Sequence, residues 1–256
     1  MIPQRHQLDI LSQRPGSPCG WVRPVVWVLF AITAAFPGMV RANPTGGTVA
    51  GGAATIASPN ASTVVVNQTS ARTIINWSDF SIGSGELTKF IQPSAASAAL
   101  NRVLSSDPSL LLGQLQANGQ VFLINPNGIV VGQGASINTA GFGASTLNVS
   151  NAEFLAGGDL HLSGQSPAAI VNLGHINASQ GDIYLVAQQV ANSGTLTAPN
   201  GTVGLAAGTE VTLTQNGSEH VLVTAPVTTG GSGAAVLNSG AISAAQAELT
   251  AADGNL

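Results

Sequence analysis

The sequence predicts an all-β chain wound into a parallel β-solenoid, and three observations carry that prediction. The first is composition. Of 256 residues 31 are glycine and 44% hydrophobic, while only 7% are charged and 4% aromatic. Helix bundles and coiled coils draw on Glu, Lys, Arg and Leu, whereas this chain is built from Val, Ile, Thr, Ser, Asn, Gly and Ala. The second is a repeat at fixed offset. Asn172-Leu173-Gly174-His175-Ile176 recurs 20 positions later as Asn192-Ser193-Gly194-Thr195-Leu196, and Gly181-Asp182-Ile183-Tyr184-Leu185 recurs at the same offset as Gly201-Thr202-Val203-Gly204-Leu205. The third is period-two alternation inside each unit, Ile183, Leu185 and Ala187 in one copy and Val203, Leu205 and Ala207 in the next.

Short alternating strands that return every 20 to 23 residues are what one solenoid coil requires. The narrow interior takes Val, Ile, Leu and Ala, and the outer faces tolerate Ser, Thr and Asn. Gly and Asn suit the corners, because both accept positive φ and Asn side chains can stack in hydrogen-bonded ladders. A Gly-rich β-sandwich gives similar local patterns but has no reason to keep one offset in two segments. A third copy, Asn238-Ser239-Gly240-Ala241-Ile242, lies 46 residues beyond the second and is read as two further coils of about 23. At roughly 4.8 Å per coil, about ten coils make a stack on the order of 50 Å.

The first 42 residues read as a secretory signal peptide. Arg5, Arg14 and Arg23 precede the apolar run Val25 to Phe36, then Pro37 and Gly38 break it ahead of Val40-Arg41-Ala42, which places cleavage between Ala42 and Asn43. The apolar run is about a dozen residues, short of the roughly 20 a spanning helix needs. Cys19 is the only cysteine, so the 214 residues after the leader contain none. Packing and backbone hydrogen bonds alone must hold such a secreted chain together. Beyond residue 42 three basic residues, Arg72, Lys89 and Arg102, face ten acidic ones, a balance of −7. So few cations cannot neutralise many phosphates, which argues against nucleic acid as a partner.

Chemistry-bearing patterns are sparse. His161, His175 and His220 lack metal-ligand spacing, and Gly157-Gly158-Asp159 is an isolated fragment of a calcium-binding repeat, so no metal and no cofactor is expected. Gly-x-Ser-x-Gly, the phosphate-binding loop and Gly-x-Gly-x-x-Gly are all missing. Asp182, Glu210 and Glu248 fall well apart in the coil pattern without a basic companion, which argues against a carbohydrate-active β-helix and against any catalytic site.

From Asn43 to about residue 160 the words become more specific. Thr73 to Gly83 reads as two short strands with Ile75 and Trp77, then Phe80 and Ile82, as core anchors. Asn125-Pro126-Asn127-Gly128-Ile129 follows the apolar run Val121 to Ile124 and suits a tight turn. Pro126 presets φ at its second position, Asn127 tolerates the third and Gly128 leaves it without steric cost. Ala99-Leu100-Asn101-Arg102-Val103, Leu112 through Ile129, Ala144 to Ser150 and Phe154 to Gly157 stand in consistent order, and together they resemble the N-terminal secretion domain of the filamentous haemagglutinin family over residues 45 to 160.

The resemblance implies a right-handed, single-stranded parallel β-helix with an N-terminal cap, carried by a two-partner-secretion exoprotein of a Gram-negative bacterium. It implies domains at 1–42 (leader), 43–160 (secretion domain) and 161–256 (shaft coils), the last ending inside a repeat as a fragment or truncated gene. The implied partner is an outer-membrane β-barrel transporter with polypeptide-transport-associated domains, met in the periplasm, after which the chain folds outside coil upon coil. Asn125 to Ile129 match the family's Asn-Pro-Asn-Gly-Ile motif residue by residue, whereas its second motif, Asn-Pro-Asn-Leu, is not found. The expected function is a secreted, non-enzymatic adhesin, with the delivery portion of a contact-dependent inhibition toxin or a haem-acquisition exoprotein as alternatives. Host or neighbouring cell surfaces would be met through regions further along such a protein.

Overall fold

The computed structural model describes residues 43–214, 220–225 and 235–251, so the expected leader, Ala42 included, lies outside the described residues. Two strands come first, β1 (Thr48–Gly51) and β2 (Ala54–Asn60). Seven coils follow. In chain order they use β3 (Thr63–Gln68) and β4 (Arg72–Trp77); β5 (Leu87–Ile91) and β6 (Ala98–Val103); β7 (Ser109–Leu111), β8 (Gln114–Ala117) and β9 (Gln120–Ile124); and β10 (Ile129–Val131), β11 (Ser136–Thr139) and β12 (Gly141–Ser145). After α1 (Asn151–Ala156) and β13 (Leu160–Ser163) come β14 (Ala169–Asn172), β15 (His175–Ala178) and β16 (Ile183–Ala187), then β17 (Gln189–Asn192) with the long β18 (Thr195–Ala207). After β19 (Glu210–Leu213) and β20 (Val221–Ala225), the seventh coil is β21 (Ala235–Asn238) and β22 (Ala241–Ala251).

The coil strands pair in parallel with those above and below, on three faces. One face runs β4, β6, β9, β12, β16 and the second half of β18, and β18 is followed by β22. β1 and β2 pair antiparallel with β4 and β3 and so cover the free edges of the first coil. The expected second strand after Trp77 is reduced to two isolated bridges, Thr45 with Asp79 and Ile82 with Leu111, because the chain turns the corner there.

Register partners give the coil lengths. Arg72 pairs Ala98, Ala98 pairs Gln120 and Gln120 pairs Gly141, steps of 26, 22 and 21 residues. Phe142 pairs Ile183, Ile183 pairs Val203 and Val203 pairs Ala247, steps of 41, 20 and 44. The 46-residue separation of Asn192 and Asn238 is therefore one coil and not two, because these residues are direct register partners whose side chains meet at 2.7 Å. The surplus residues leave the stack. β19 pairs antiparallel with β13 and β20 to form a separate three-stranded sheet. Seven coils at roughly 4.8 Å span about 30 Å, shorter than the stack expected from a uniform repeat.

Side chains stack in columns that run through the coils. Inside, Ile75, Asn101, Leu123, Ala144, Leu185, Leu205 and Leu249 lie in successive register. Ile75, Trp77, Phe80 and Ile82 are all buried in this interior, with the Trp77 and Phe80 rings edge to face at 5.5 Å. A second apolar core lies on the outer side of the same strands. Ile74, Leu100, Ile124, Tyr184 and Val186 there meet Phe154 of α1 and Leu160, Leu162, Val211, Leu213 and Val221 of the antiparallel sheet. Two glycines make that outer face flat enough. A Cβ on Gly143 would stand 2.4 Å from the Phe122 ring, and one on Gly204 would stand 2.8 Å from the Tyr184 ring and 2.4 Å from Val221.

Corners are tied by Asn. Asn172 Nδ2 donates to Asn192 Oδ1 and Asn192 Nδ2 to Asn238 Oδ1, both at 2.7 Å, a three-rung ladder down the corner of β14, β17 and β21. Such a ladder satisfies buried amides from coil to coil, where an unpaired one would cost about 1–3 kcal/mol.

Candidate functional site

The Asn125–Ile129 segment joins β9 to β10, and its backbone closes a tight turn in which Gly128 N donates to Asn125 O at 3.1 Å. Asn125 is fully buried. Its Nδ2 donates to Asp107 O and to Ser109 Oγ, both at 3.0 Å, while its Oδ1 accepts from Asn127 N at 2.9 Å. Asn127 Nδ2 reaches Ser105 O at 2.8 Å, and Ser109 N donates to Gly128 O at 3.0 Å. These bonds tie the turn to the preceding coil. Toward the next coil, Asn125 N donates to Ser145 O at 3.0 Å and Ser166 Oγ donates to Pro126 O. Ile129, buried, pairs with Ser109 below and Ile170 above.

Gly128 has φ +104°, and a Cβ there would lie 3.1 Å from Ala169 O, so both torsion and space favour glycine. The five motif residues thus divide. Asn125, Gly128 and Ile129 are interior and fasten three successive coils, while Pro126 and Asn127 are exposed at the apex. Leu104, 65% exposed, immediately precedes Ser105, whose carbonyl holds Asn127.

The other words of the resemblance also join distant segments. Asn101 sits fully buried in an apolar column, where its Oδ1 accepts from Trp77 Nε1 at 2.9 Å and its Nδ2 donates to Phe122 O at 3.2 Å. Arg102, its neighbour, points the other way and grips the insertion. Nε donates to Asn148 Oδ1, Nη1 to Asn151 Oδ1 and Nη2 to Val149 O, each at 2.9 Å. Asn118 exchanges two 2.7 Å bonds with the backbone N and O of Gln92. Ser150 caps α1 by accepting from Glu153 N, and Gly157, at φ +76°, closes it. Arg72 lies 5.4 Å from the Phe154 ring centroid and donates to Phe154 O at 3.2 Å. Burial lowers the pKa of both arginines, yet a guanidinium stays charged in proteins.

Two of the three basic residues beyond residue 42 therefore fix one insertion, a role that no local sequence pattern assigns. The signal was available: in so charge-poor a chain, Arg72 and Arg102 stand out as candidates for specific contacts. Asp182 and Glu248, expected apart, both face Tyr184, because Tyr184, Gly204 and Glu248 occupy one column. Tyr184 OH donates to Asp182 Oδ2 at 2.9 Å, and burial, with Asp182 and then Glu248 nearby, holds the phenol pKa well above its ordinary value. Both carboxylates are taken up by backbone N–H groups, Asp182 by Thr202 N and Glu248 by His220 N and Val221 N. Glu210 lies away from them on β19. Among the described residues, no group of three or more His, Cys, Asp or Glu side chains could hold a metal ion.

A parallel β-helix with antiparallel edge strands, an extra-helical sheet and this turn defines a secretion domain. The chain matches the TPS secretion domain family over residues 40–254 and belongs to that family, the two-partner-secretion exoproteins. It is 33% identical over 204 residues to a heme/hemopexin-binding protein of Haemophilus influenzae strain Rd, a match covering 75% of this chain and 22% of that protein. A second heme/hemopexin-binding protein of Haemophilus influenzae is 41% identical over 98 residues, covering 38% of this chain and 11% of the relative. The chain thus spans about a fifth or less of the length of these curated relatives.

Among solved structures, the HMW1 secretion domain from Haemophilus influenzae aligns with TM-score 0.67 and 35% identity over 78% of this chain and 53% of that one. The filamentous hemagglutinin secretion domain aligns with TM-score 0.60 over 81% and 78%, and at 18% identity it speaks for the fold.

Proposed function

We propose that residues 43–251 act as the export signal of a secreted exoprotein, recognised in the periplasm by polypeptide-transport-associated domains of a cognate outer-membrane β-barrel transporter. The observation that carries this reading is the match to the secretion-domain family over residues 40–254, and the residues offered for recognition lie within the segment Asn125–Ile129. Its interior residues fasten three coils, which leaves Pro126 and Asn127 displayed on a rigid support. An unfolded chain presents the same residues as a linear motif, so recognition can precede folding, and folding outside then buries Asn125 and Ile129. A coil gains its buried surface only against a coil already in place, so the capped first coil templates those after it and growth is directional. Nucleotide hydrolysis is not required if folding outside prevents return.

The domain division at residue 160 gains a structural rationale from α1 and β13, which leave the stack near that boundary. Cleavage between Ala42 and Asn43 starts the processed chain at the first described residue. Haem acquisition is favoured over the toxin-delivery alternative by the two curated relatives, both named heme/hemopexin-binding proteins. An adhesin role fits the family as well, and in each case the binding activity belongs to the whole exoprotein. The reading is tested by titrating the denatured, processed chain against the transporter's isolated periplasmic domains. Asn127→Asp with Pro126→Ala should weaken binding at least tenfold, and undiminished binding would remove the motif from recognition.

A further inference from the structure

The start of the described chain is unusually well held. Asn43 is only 5% exposed, and its backbone N donates to Glu86 Oε2 at 2.7 Å. The same oxygen accepts from Gly83 N at 2.7 Å, while Glu86 N donates to Gly83 O at 3.0 Å. Glu86 therefore sits in the loop that carries the first coil into the second, facing the first residues of the chain. Thr88 Oγ1, fully buried, donates to Asn43 Oδ1 at 3.2 Å. Two residues on, Thr45 N donates to Asp79 O at 2.9 Å and Ser78 N to Thr45 O at 3.0 Å. A carboxylate in such a half-buried place is ordinarily matched by a cation; among the described residues, the hydrogen bonds to it come from the backbone amides of Asn43 and Gly83.

We infer that Glu86 is the receptor for the processed N-terminus, so that removal of the leader creates an ion pair between the Asn43 α-ammonium and Glu86 that locks the cap onto the first two coils. The inference rests on cleavage between Ala42 and Asn43. A signal peptidase adds water across that peptide bond. The oxygen goes to Ala42 as a carboxylate, and the nitrogen of Asn43 leaves as an amine that takes a proton. One N–H donor becomes three, and a hydrogen bond already assisted by the carboxylate gains a cationic donor, so that an amide contact becomes an ion pair. The precursor thus carries a weaker cap than the processed chain. The pair closes only when Asn43 meets the Glu86 loop, so it forms as the first two coils fold, outside the cell in the order given above.

The test uses the processed chain, whose start is first read by N-terminal sequencing. Four forms are compared by urea unfolding: the processed chain, the same chain with one glycine added before Asn43, and each of these with Glu86→Gln. The added residue keeps the Asn43 N–H and moves the ammonium away, so the pair is lost without loss of the amide donor. We expect the glycine extension to lower the folding equilibrium constant about tenfold in the Glu86 background and by less than twofold with Glu86→Gln. The α-ammonium of the processed chain should also titrate above the ordinary range of about 7.7–8.0, read by NMR, and return to it with Glu86→Gln. An extension that is neutral, or equally costly in both backgrounds, would overturn the inference. A start other than Asn43 would overturn it too, and because export can still depend on the transporter in that case, the two failures are distinguishable.

Discussion

Replacing Asn125 by alanine isolates the structural part of the turn from its displayed part. The substitution removes two 3.0 Å bonds from Nδ2, to Asp107 O and Ser109 Oγ, and one 2.9 Å bond accepted from Asn127 N. Each contributes about 1 kcal/mol net, and Ser109 Oγ, in a residue with no exposure, loses that donor inside the protein. The expected loss is about 3 kcal/mol, which for a chain of this size lowers Tm by roughly 6–12 °C. The control is Asn138→Ala on β11, where an exposed side chain donates only to Ser136 Oγ and the change should stay within about 0.5 kcal/mol. Urea unfolding followed by far-UV circular dichroism reads both. A loss below about 1 kcal/mol for Asn125→Ala, or equal losses for the two, would refute the assignment of the Asn125 side chain as the fastener of the turn to the preceding coil.

Gly128→Val forces a β-branched side chain to φ +104° beside Ala169 O, so we expect a loss of about 1–3 kcal/mol and reduced export. Gly134→Val, where an added Cβ meets nothing within 4 Å, should do neither; Gly201 is a poor control because a Cβ there would lie 2.2 Å from Gly181 O. Arg102→Met removes three 2.9 Å bonds that hold residues 148–151, and amide exchange in α1 should rise about tenfold while the coil strands keep their protection. Tyr184 is the sole tyrosine, so absorbance at 295 nm reports its ionisation alone. Its pKa is raised on folding, which makes its contribution to stability full below about pH 10 and progressively lost above, as the unfolded chain ionises first. Ionisation should therefore coincide with alkaline unfolding, and a reversible titration near pH 10 in the folded protein would contradict the buried placement.

The fold class was legible because a solenoid writes each contact twice. Asn172, Asn192 and Asn238 share one word because they stack in one column, and Ile183 and Leu185 align with Val203 and Leu205 for the same reason. The number of coils was not legible from the offset. A repeated word states that two residues are stacked, and says nothing of how many residues leave the stack between them. Val211 and Leu213 alternate as a coil strand does, yet they bury on the outer core, since period two marks a half-buried strand whichever side it faces. The turn at Asn125 was legible from Pro126 and Gly128, whereas its attachment to Ser105, Asp107 and Ser109 depends on coil stacking that no local pattern encodes. Asp182 and Glu248 were misplaced for a related reason: the 44-residue sixth step hides that their columns adjoin at Tyr184. Glu86, 43 residues from its partner Asn43, carries no sequence signal.

Export itself tests the central claim most directly. The full chain is expressed in a Gram-negative host with its cognate transporter, with a transporter lacking its periplasmic domains, and with none, and the medium is assayed for a folded, protease-resistant product. The account predicts a product beginning at Asn43 only with the intact transporter, and much less of it when Asn127 and Gly128 are replaced. Equal amounts in the medium without the transporter, or retention in the periplasm beside a transporter proven functional on its own substrate, would contradict it.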